Sequence, residues 1–306
     1  MNPELVIVGV LTSGIRLATP YLYAAIGETF GQRSGVLNLG VDGQMLLGAF
    51  AAFYVAFTTG NLWLGLLAAI IVGALMGLAM AFVTVNLQAV QGISGIGFYL
   101  FGLGMSELLF KMMLGTVETV KGFPIVSIPF LGDIPFVGKI FFQQNIMVYG
   151  AFLLVPLAWF ILNKTTLGLK IRAVGENPEA ADSLGVSVAR IRYFTIILGG
   201  ILSGLAGASM SIALLNVFQQ NMTSGLGFIA VALVYFGAWR AWGVLAGALL
   251  FSFVNSIQLW MQVLNVPIPS EIAVMLPYIL TIIVLVLTVS RVRPPSALTK
   301  PFDRGD

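Results

Sequence analysis

The sequence predicts an all-α fold, a polytopic transmembrane helical bundle, and three observations carry that expectation. Of 306 residues, 58% are hydrophobic and only 9% are charged, far from the roughly 25% charged residues of a soluble domain. The apolar residues gather into segments close to the ~20 residues that cross ~30 Å of hydrocarbon as helix. Those segments are continuous rather than alternating, so each closes its backbone hydrogen bonds internally, and the shorter, alternating strands of a barrel do not fit.

Nine segments can be marked, at 5 to 27, 36 to 57, 62 to 85, 92 to 114, 146 to 162, 193 to 215, 226 to 239, 241 to 264 and 271 to 290. They make 1–306 a single transmembrane domain with a long external loop at 115–145 and a cytoplasmic loop at 163–192. The first span follows Met1 to Glu4, which carry no Lys or Arg, so it lacks the basic region of a cleaved signal peptide. Two segments are irregular. Residues 226 to 239 are few, and 36 to 57 opens with GVLNLGVDGQ, where glycines and polar side chains interrupt the apolar run. Each is a candidate broken or re-entrant helix, the alternative being a loop; at membrane depth such breaks survive only where protein or a water-filled cavity satisfies the freed backbone.

Basic residues set the orientation. Arg33, Lys164, Lys170, Arg172, Arg190, Arg192, Arg240, Arg291, Arg293, Lys300 and Arg304 fall in one set of connections, and only Lys111, Lys121 and Lys139 in the other. Eleven against three places the N-terminus outside and the C-terminus in the cytoplasm; if one irregular segment is re-entrant, the N-terminus flips while the C-terminal half keeps its orientation. A net charge of +3 with dispersed basic residues is thus a topology signal and gives no reason to expect nucleic acid. Cysteine and histidine are both absent, which removes disulfides, thiol nucleophiles, imidazole bases and the H-E-x-x-H metal motif. An intramembrane enzyme is therefore the last-ranked reading, and the sequence marks no catalytic residues, metal site or cofactor.

The external loop contains GFPIVSIPFLGDIPFVG, whose three prolines forbid a regular helix. It reads as a cap on the bundle. The cytoplasmic loop contains TLGLKIRAVGENPEAADSLGVSVARIR, residues 166 to 192. Asn177 is a good N-cap, Pro178 suits the first helical position, Glu179 meets the positive end of the dipole, and Gly185 suits a left-handed C-cap. The expected helix, about 178 to 184, is far shorter than the ~12 residues at which an isolated helix becomes marginal. Its patch of Ala180, Ala181 and Leu184 must pack on something, either its own bundle or a partner subunit.

Polar residues within spans are functional candidates because lipid penalises them. Asn38 and Asp42 are four apart, on one face if their segment is helical. With Arg33 and Gln44 they are candidates to line a polar solute pathway; the alternative is a structural Arg33–Asp42 pair. Arg16 must find a partner or snorkel, and an ion pair is expected, with Glu28 and Asp42 the nearest carboxylates in sequence. Glu107 and Lys111 read as a surface pair, and the glycines of GALMGLAMA and GGILSGLAGAS as close helix contacts.

The run GLKIRAVGENPEAADSLGV resembles the coupling segment of bacterial ABC importer permeases, in the branch that serves branched-chain amino acids, ribose-type sugars and nucleosides. ETFGQRSGVLNLGVDGQMLLGAF (28 to 50), SIPFLGDIPFVG (127 to 138) and GFIAVALVYFGAWRAWGVLAGALLFSF (227 to 253) extend the resemblance over almost the whole chain. RSGVLNLGVDG is most similar to the simple-sugar and nucleoside permeases, whose usual pattern has Glu where this chain has Asp42. The INFAHG-like run of the amino-acid permeases is absent.

The resemblance implies a multi-pass transport subunit of the bacterial plasma membrane that moves a small polar solute, a nucleoside or simple sugar. Its implied partners are a second, different permease chain, two cytoplasmic ATPase subunits and an extracellular solute-binding protein, all about the lipid bilayer. It also implies that Arg172, Asn177, Pro178, Glu179, Ala180, Ala181, Leu184 and Gly185 couple to the ATPase. Independently, the chain has no G-x-x-x-x-G-K-[ST] loop, its one Gly-Lys being Gly138-Lys139, so ATP chemistry falls to another subunit. The competing reading is a stand-alone ion-coupled secondary transporter, which ordinarily buries several titratable groups; here only Glu28, Asp42 and Glu107 qualify.

Overall fold

The computed structural model describes residues 3–264 and 293–303 continuously, with scattered positions between them. Among the described residues the long helices are α1 (Pro3–Arg33), α2 (Val41–Thr59), α3 (Leu62–Ala81), α4 (Gln91–Met113), α5 (Ile146–Lys164), α8 (Val188–Ser209) and α10 (Ala241–Val263). Three short ones, α6 (Thr166–Glu176), α7 (Pro178–Ser183) and α9 (Leu226–Phe236), complete the set. α3 and α8 each run on into a wide π-type turn, Phe82–Asn86 and Met210–Leu214. Among the described residues, seven helices are long and apolar enough to cross a membrane. The chain is therefore a multi-pass helical bundle.

The seventh expected span, 226 to 239, is one of the two segments expected to be irregular, and it is short. α9 has 11 residues, about 16 Å of helix, which covers half of ~30 Å of hydrocarbon. The rest of that crossing is irregular chain, with positive φ at Asn216, Asn221, Ser224 and Gly225. It starts beside the external loop, where Val120 N–H donates to Asn216 O at 3.0 Å. It then passes Phe218, buried against Phe50, Phe53 and Phe110. The expected ninth span, 271 to 290, lies outside the continuously described residues.

Backbone contacts sort the connections into two faces. Ala297 N–H donates to Gly175 O and Thr299 N–H to Gly35 O, and the Gln88 and Asn86 side chains meet Phe302 O and the Tyr193 hydroxyl. The α1–α2 turn, the α3–α4 turn, the α6–α7 loop and the C-terminal tail therefore share one face, the one rich in Arg and Lys. The opposite face carries the 115–145 cap. That cap holds a small antiparallel ladder, β1 (Ile125–Ser127) against β2 (Gln143–Asn145). Arg16 donates its Nε–H to Gln144 Oε1 at 2.8 Å, where the sequence led us to expect a carboxylate partner. Glu107 and Lys111 form the expected surface pair at 2.7 Å.

α8 occupies the centre, against α1, α2 and α3. Its face of Gly199, Gly200, Ser203, Gly204 and Gly207 is buried, and small residues on the facing helices let backbones meet. A Cβ on Gly200 would collide with the Gly73 carbonyl, and one on Gly48 would lie 2.5 Å from Gly204 Cα. Lipid offers helices no hydrophobic drive to associate, so this close packing supplies the attraction. We expect Gly200→Ala to force α3 from α8 and cost about 1–3 kcal/mol. Gly97→Ala, at an α4 position with nothing within 4 Å, should leave the unfolding midpoint in detergent unchanged. Equal midpoints for the two variants would show that the glycine seam is not what holds the bundle.

Candidate functional site

The α1–α2 connection folds back into the bundle. After Arg33 the chain turns at Ser34 and Gly35, and Val36 N–H donates to Gly31 O. Asn38 N–H then reaches Glu28 Oε1 at 3.0 Å, a residue more than one turn back along α1. The same Glu28 oxygen accepts from Gln32 Nε2, and Gln32 Oε1 accepts from the Trp239 indole at 2.7 Å. α2 thus begins well inside the bundle at Val41, behind Gly40 as N-cap. The expected broken or re-entrant helix is not what forms: 34–40 is a turn that folds back on α1, and Val41–Thr59 is a continuous helix long enough to cross the membrane. Asn38 therefore lies in the turn rather than one helical turn below Asp42.

Asp42 is fully buried, and its carboxylate does one definite thing. Oδ1 accepts from Gly227 N–H at 2.8 Å and Oδ2 from the Thr223 hydroxyl at 3.0 Å. Gly227 lies in the first turn of α9, whose N-cap is Gly225, a residue with no side chain to offer. Asp42 therefore supplies from α2 the cap that α9 lacks, at a depth where water cannot. The carboxylate also lies in the first turn of α2, so two positive helix ends converge on one negative charge. The expected alternative of an Arg33–Asp42 pair is not what forms: Arg33 Nε–H donates to Trp239 O at 2.9 Å.

Around this junction Asn38 Nδ2 donates to Gln44 Oε1 at 3.2 Å, and Leu37 N–H donates to Gln91 Oε1 at 2.8 Å. The other amide ends, Gln44 Nε2 and Gln91 Nε2, are buried donors with no hydrogen-bond partner. Glu28, Gln32, Gln91, Thr223 and Trp239 were not among the site residues expected from sequence. Only Glu28 and Gln32 left a signal there, as polar residues four apart in an apolar helix.

On the basic face, α6 ends at Glu176 and α7 begins at once. Asn177 Oδ1 accepts from Ala180 N–H at 3.0 Å, Pro178 holds the first position, and Gly185 has φ +83°. The helix closes at Ser183, one residue short of the expected end, with Leu184 as C-cap. Its patch is split. Pro178 and Ala181 are buried against the protein, whereas Glu179, Ala180, Ser183, Leu184 and Gly185 are exposed, Leu184 to 84%. Arg172, half-buried, turns its Nε–H back to Gly168 O. Among the described residues no three acidic, His or Cys side chains come together as a metal site.

The Asp42 cap sets a stability expectation. Asp42→Ala strands two donors inside the bundle and should cost about 3 kcal/mol. Asp42→Asn keeps an acceptor for Gly227 and can donate to Thr223, so it should cost about 1 kcal/mol. Unfolding midpoints in detergent measure both, and equal losses would show that the charge rather than the cap is what matters.

Residues 10–285 match the model of the family described as branched-chain amino acid transport system, permease component. A putative glucose ABC transporter permease protein of Haloferax volcanii is 38% identical over 97% of this chain and 98% of its own length. A guanosine ABC transporter permease protein of Bacillus subtilis is 38% identical over 94% of each. A nucleoside ABC transporter permease protein of Lactococcus lactis is 35% identical over 92% of each. No solved structure matches the chain. A multi-pass helical bundle matched over residues 10–285, with relatives along nearly its whole length, settles the family: the chain belongs to the branched-chain amino acid transport system permease components.

Proposed function

We propose that this chain is the membrane-spanning subunit of an ATP-driven importer for a solute that carries a sugar ring, a nucleoside or a simple sugar. It resides in a bacterial plasma membrane with its C-terminus in the cytoplasm. Its partners are a second, different permease chain, two cytoplasmic ATPase subunits and an extracellular solute-binding protein. The observation that carries this reading is α7. A six-residue helix buried on one side and bare on the other is held in place by the bundle it packs on and is small enough to enter a groove on a partner. The guanosine, nucleoside and glucose names of the similar proteins support the solute class, since the ring hydroxyls are the chemistry those solutes share.

The exposed edge separates docking from folding. Ala180→Trp enlarges a side chain that faces solvent, so insertion and stability should hold while ATPase co-purification is lost. Ala181→Trp enlarges one that faces the bundle and should destabilise the protein itself. Glu179→Lys acts through an exposed dipole term of about 0.3–1 kcal/mol and should weaken docking less. Normal co-purification and solute-stimulated hydrolysis with Ala180→Trp would refute the coupling role.

For the solute pathway we propose Arg33, Asn38, Asp42 and Gln44. The unpaired Gln44 and Gln91 amides support this, because a buried donor without a partner costs about 1–3 kcal/mol that a ring hydroxyl or nucleobase edge would offset on passage. Gln44→Leu removes the orphan donor at the expense of one 3.2 Å bond from Asn38, so its unfolding midpoint should change little. Uptake into proteoliposomes should fall about tenfold or more. Uptake at the normal rate would place the pathway elsewhere.

A further inference from the structure

The C-terminal tail is the one feature of the basic face with no part in the reading above. Residues 293–303 do not trail away. Pro295 and Ala297 are buried, and Leu298 and Phe302 pack on the main core. Two backbone bonds tie the described tail to the bundle, each to a glycine carbonyl. Ala297 N–H donates to Gly175 O at 2.9 Å, two residues before the α7 cap, and Thr299 N–H donates to Gly35 O at 3.1 Å, in the α1–α2 turn. The Ser296 hydroxyl adds a bond to Glu176 Oε2 at 3.1 Å.

Those two glycines also touch each other's segments. A Cβ on Gly175 would collide with the Arg33 carbonyl and lie 3.3 Å from Gly35 N; one on Gly35, whose φ is +91°, would lie 3.0 Å from Ala297 O and 3.2 Å from Arg192 Nη2. Arg192 closes the junction from α8. It is 2% exposed, donates Nε–H to Ser34 O at 3.3 Å, and leaves Nη2 buried with no hydrogen-bond partner. Three backbones therefore meet without intervening side chains: the end of α6, the turn that leads to Asn38 and Asp42, and the tail.

We propose that the tail is a positioning element for transport: residues 295–299 splint the end of α6 to the α1–α2 turn, so that displacement of α7 moves the turn. Direct backbone contact makes the junction stiff, since carbonyls and amides have no rotamers to absorb a push. The unpaired Arg192 Nη2 gives it a second arrangement to move toward, because a shift of the splint brings a tail or turn carbonyl within reach of a donor that is now unsatisfied. This inference rests on the proposed coupling of α7 to an ATPase.

Ala297→Pro removes the N–H that holds Gly175 while leaving the exposed edge of α7 intact. In proteoliposomes containing the whole transporter, the ATPase should still co-purify and hydrolyse ATP. Solute moved per ATP hydrolysed should fall about fivefold or more, the lower edge of ordinary coupling between sites, and Ala297→Ser, which keeps the N–H, should restore it. An unchanged ratio in Ala297→Pro overturns the splint, whereas absence of the ATPase from the wild-type complex overturns the coupling reading beneath it.

The chain has no cysteine, so Ser296→Cys with Glu176→Cys gives a clean second measurement that does not depend on the proline variant folding. A disulfide there should leave transport intact, because tail and α6 move as one body. Transport lost on oxidation and regained on reduction would show that they must separate, and would refute the proposal.

Discussion

The bundle depends on how two helix ends are satisfied where no water reaches. α2 and α9 both start inside the protein behind glycines, Gly40 and Gly225, neither of which caps with a side chain. An uncapped helix start leaves amides without partners, each costing several kcal/mol in hydrocarbon. One carboxylate resolves much of this. Asp42 belongs to the first turn of α2 and accepts from the first turn of α9 and from Thr223. A neutral residue would satisfy the geometry less fully, and a longer acid would not fit easily: Gly227 is already so close that a Cβ there would strike the Asp42 backbone. The resemblance to permeases with Glu at this position raises a size question that the Gly227 contact answers locally, since a shorter acid suits a closer approach.

The broken seventh crossing follows from that constraint. A continuous helix through 215–236 would need no internal cap, but it would also offer no place for the backbone to yield. Four positive φ values, at Asn216, Asn221, Ser224 and Gly225, carry the chain through the outer half without helix. The aromatic packing of Phe218 with Phe50, Phe53 and Phe110 fixes that half in place. The glycine seam of α8 does the opposite for the centre, holding backbones too close to slide. A close-packed centre beside a crossing whose helix is interrupted is what a bundle that must rearrange without unfolding requires.

Much of this was legible in the sequence, and the rest was not, for physical reasons. The spans follow from apolar length, and the caps of α7 follow from Asn177, Pro178 and Gly185, whose chemistry is local. Long-range polar partners are a different matter. Nothing near Asp42 in sequence points to Thr223 or Gly227, nearly two hundred residues away, and Arg16 is satisfied by Gln144 rather than by either nearby acid. Helical spacing also misplaced Asn38, because periodicity cannot tell that 34–40 folds back on Glu28. The β1–β2 ladder was hidden because two three-residue strands carry no period, and their pairing is set by the loop ends.

A path of contact joins the exposed edge of α7 to the Asp42 cap. Asn177 caps α7 and follows α6 directly; Gly175, two residues earlier, lies on the backbone of Arg33–Gly35. From there the turn runs through Asn38, held by Glu28 and bonded to Gln44, into the first turn of α2 and so to α9. Each step is a backbone contact or a buried hydrogen bond, and few flexible side chains intervene. Such a chain transmits displacement only if its members have two arrangements. The unpaired donors Gln44 Nε2, Gln91 Nε2 and Arg192 Nη2 lie along it. An arrangement that left every buried donor satisfied would resist change; one that leaves three unsatisfied beside the same turn is held less firmly and is displaced at lower cost. The polar imperfections of the basic half are thus the counterpart of the glycine precision at the centre, and under the proposed coupling the α1–α2 turn is the segment they leave least firmly held.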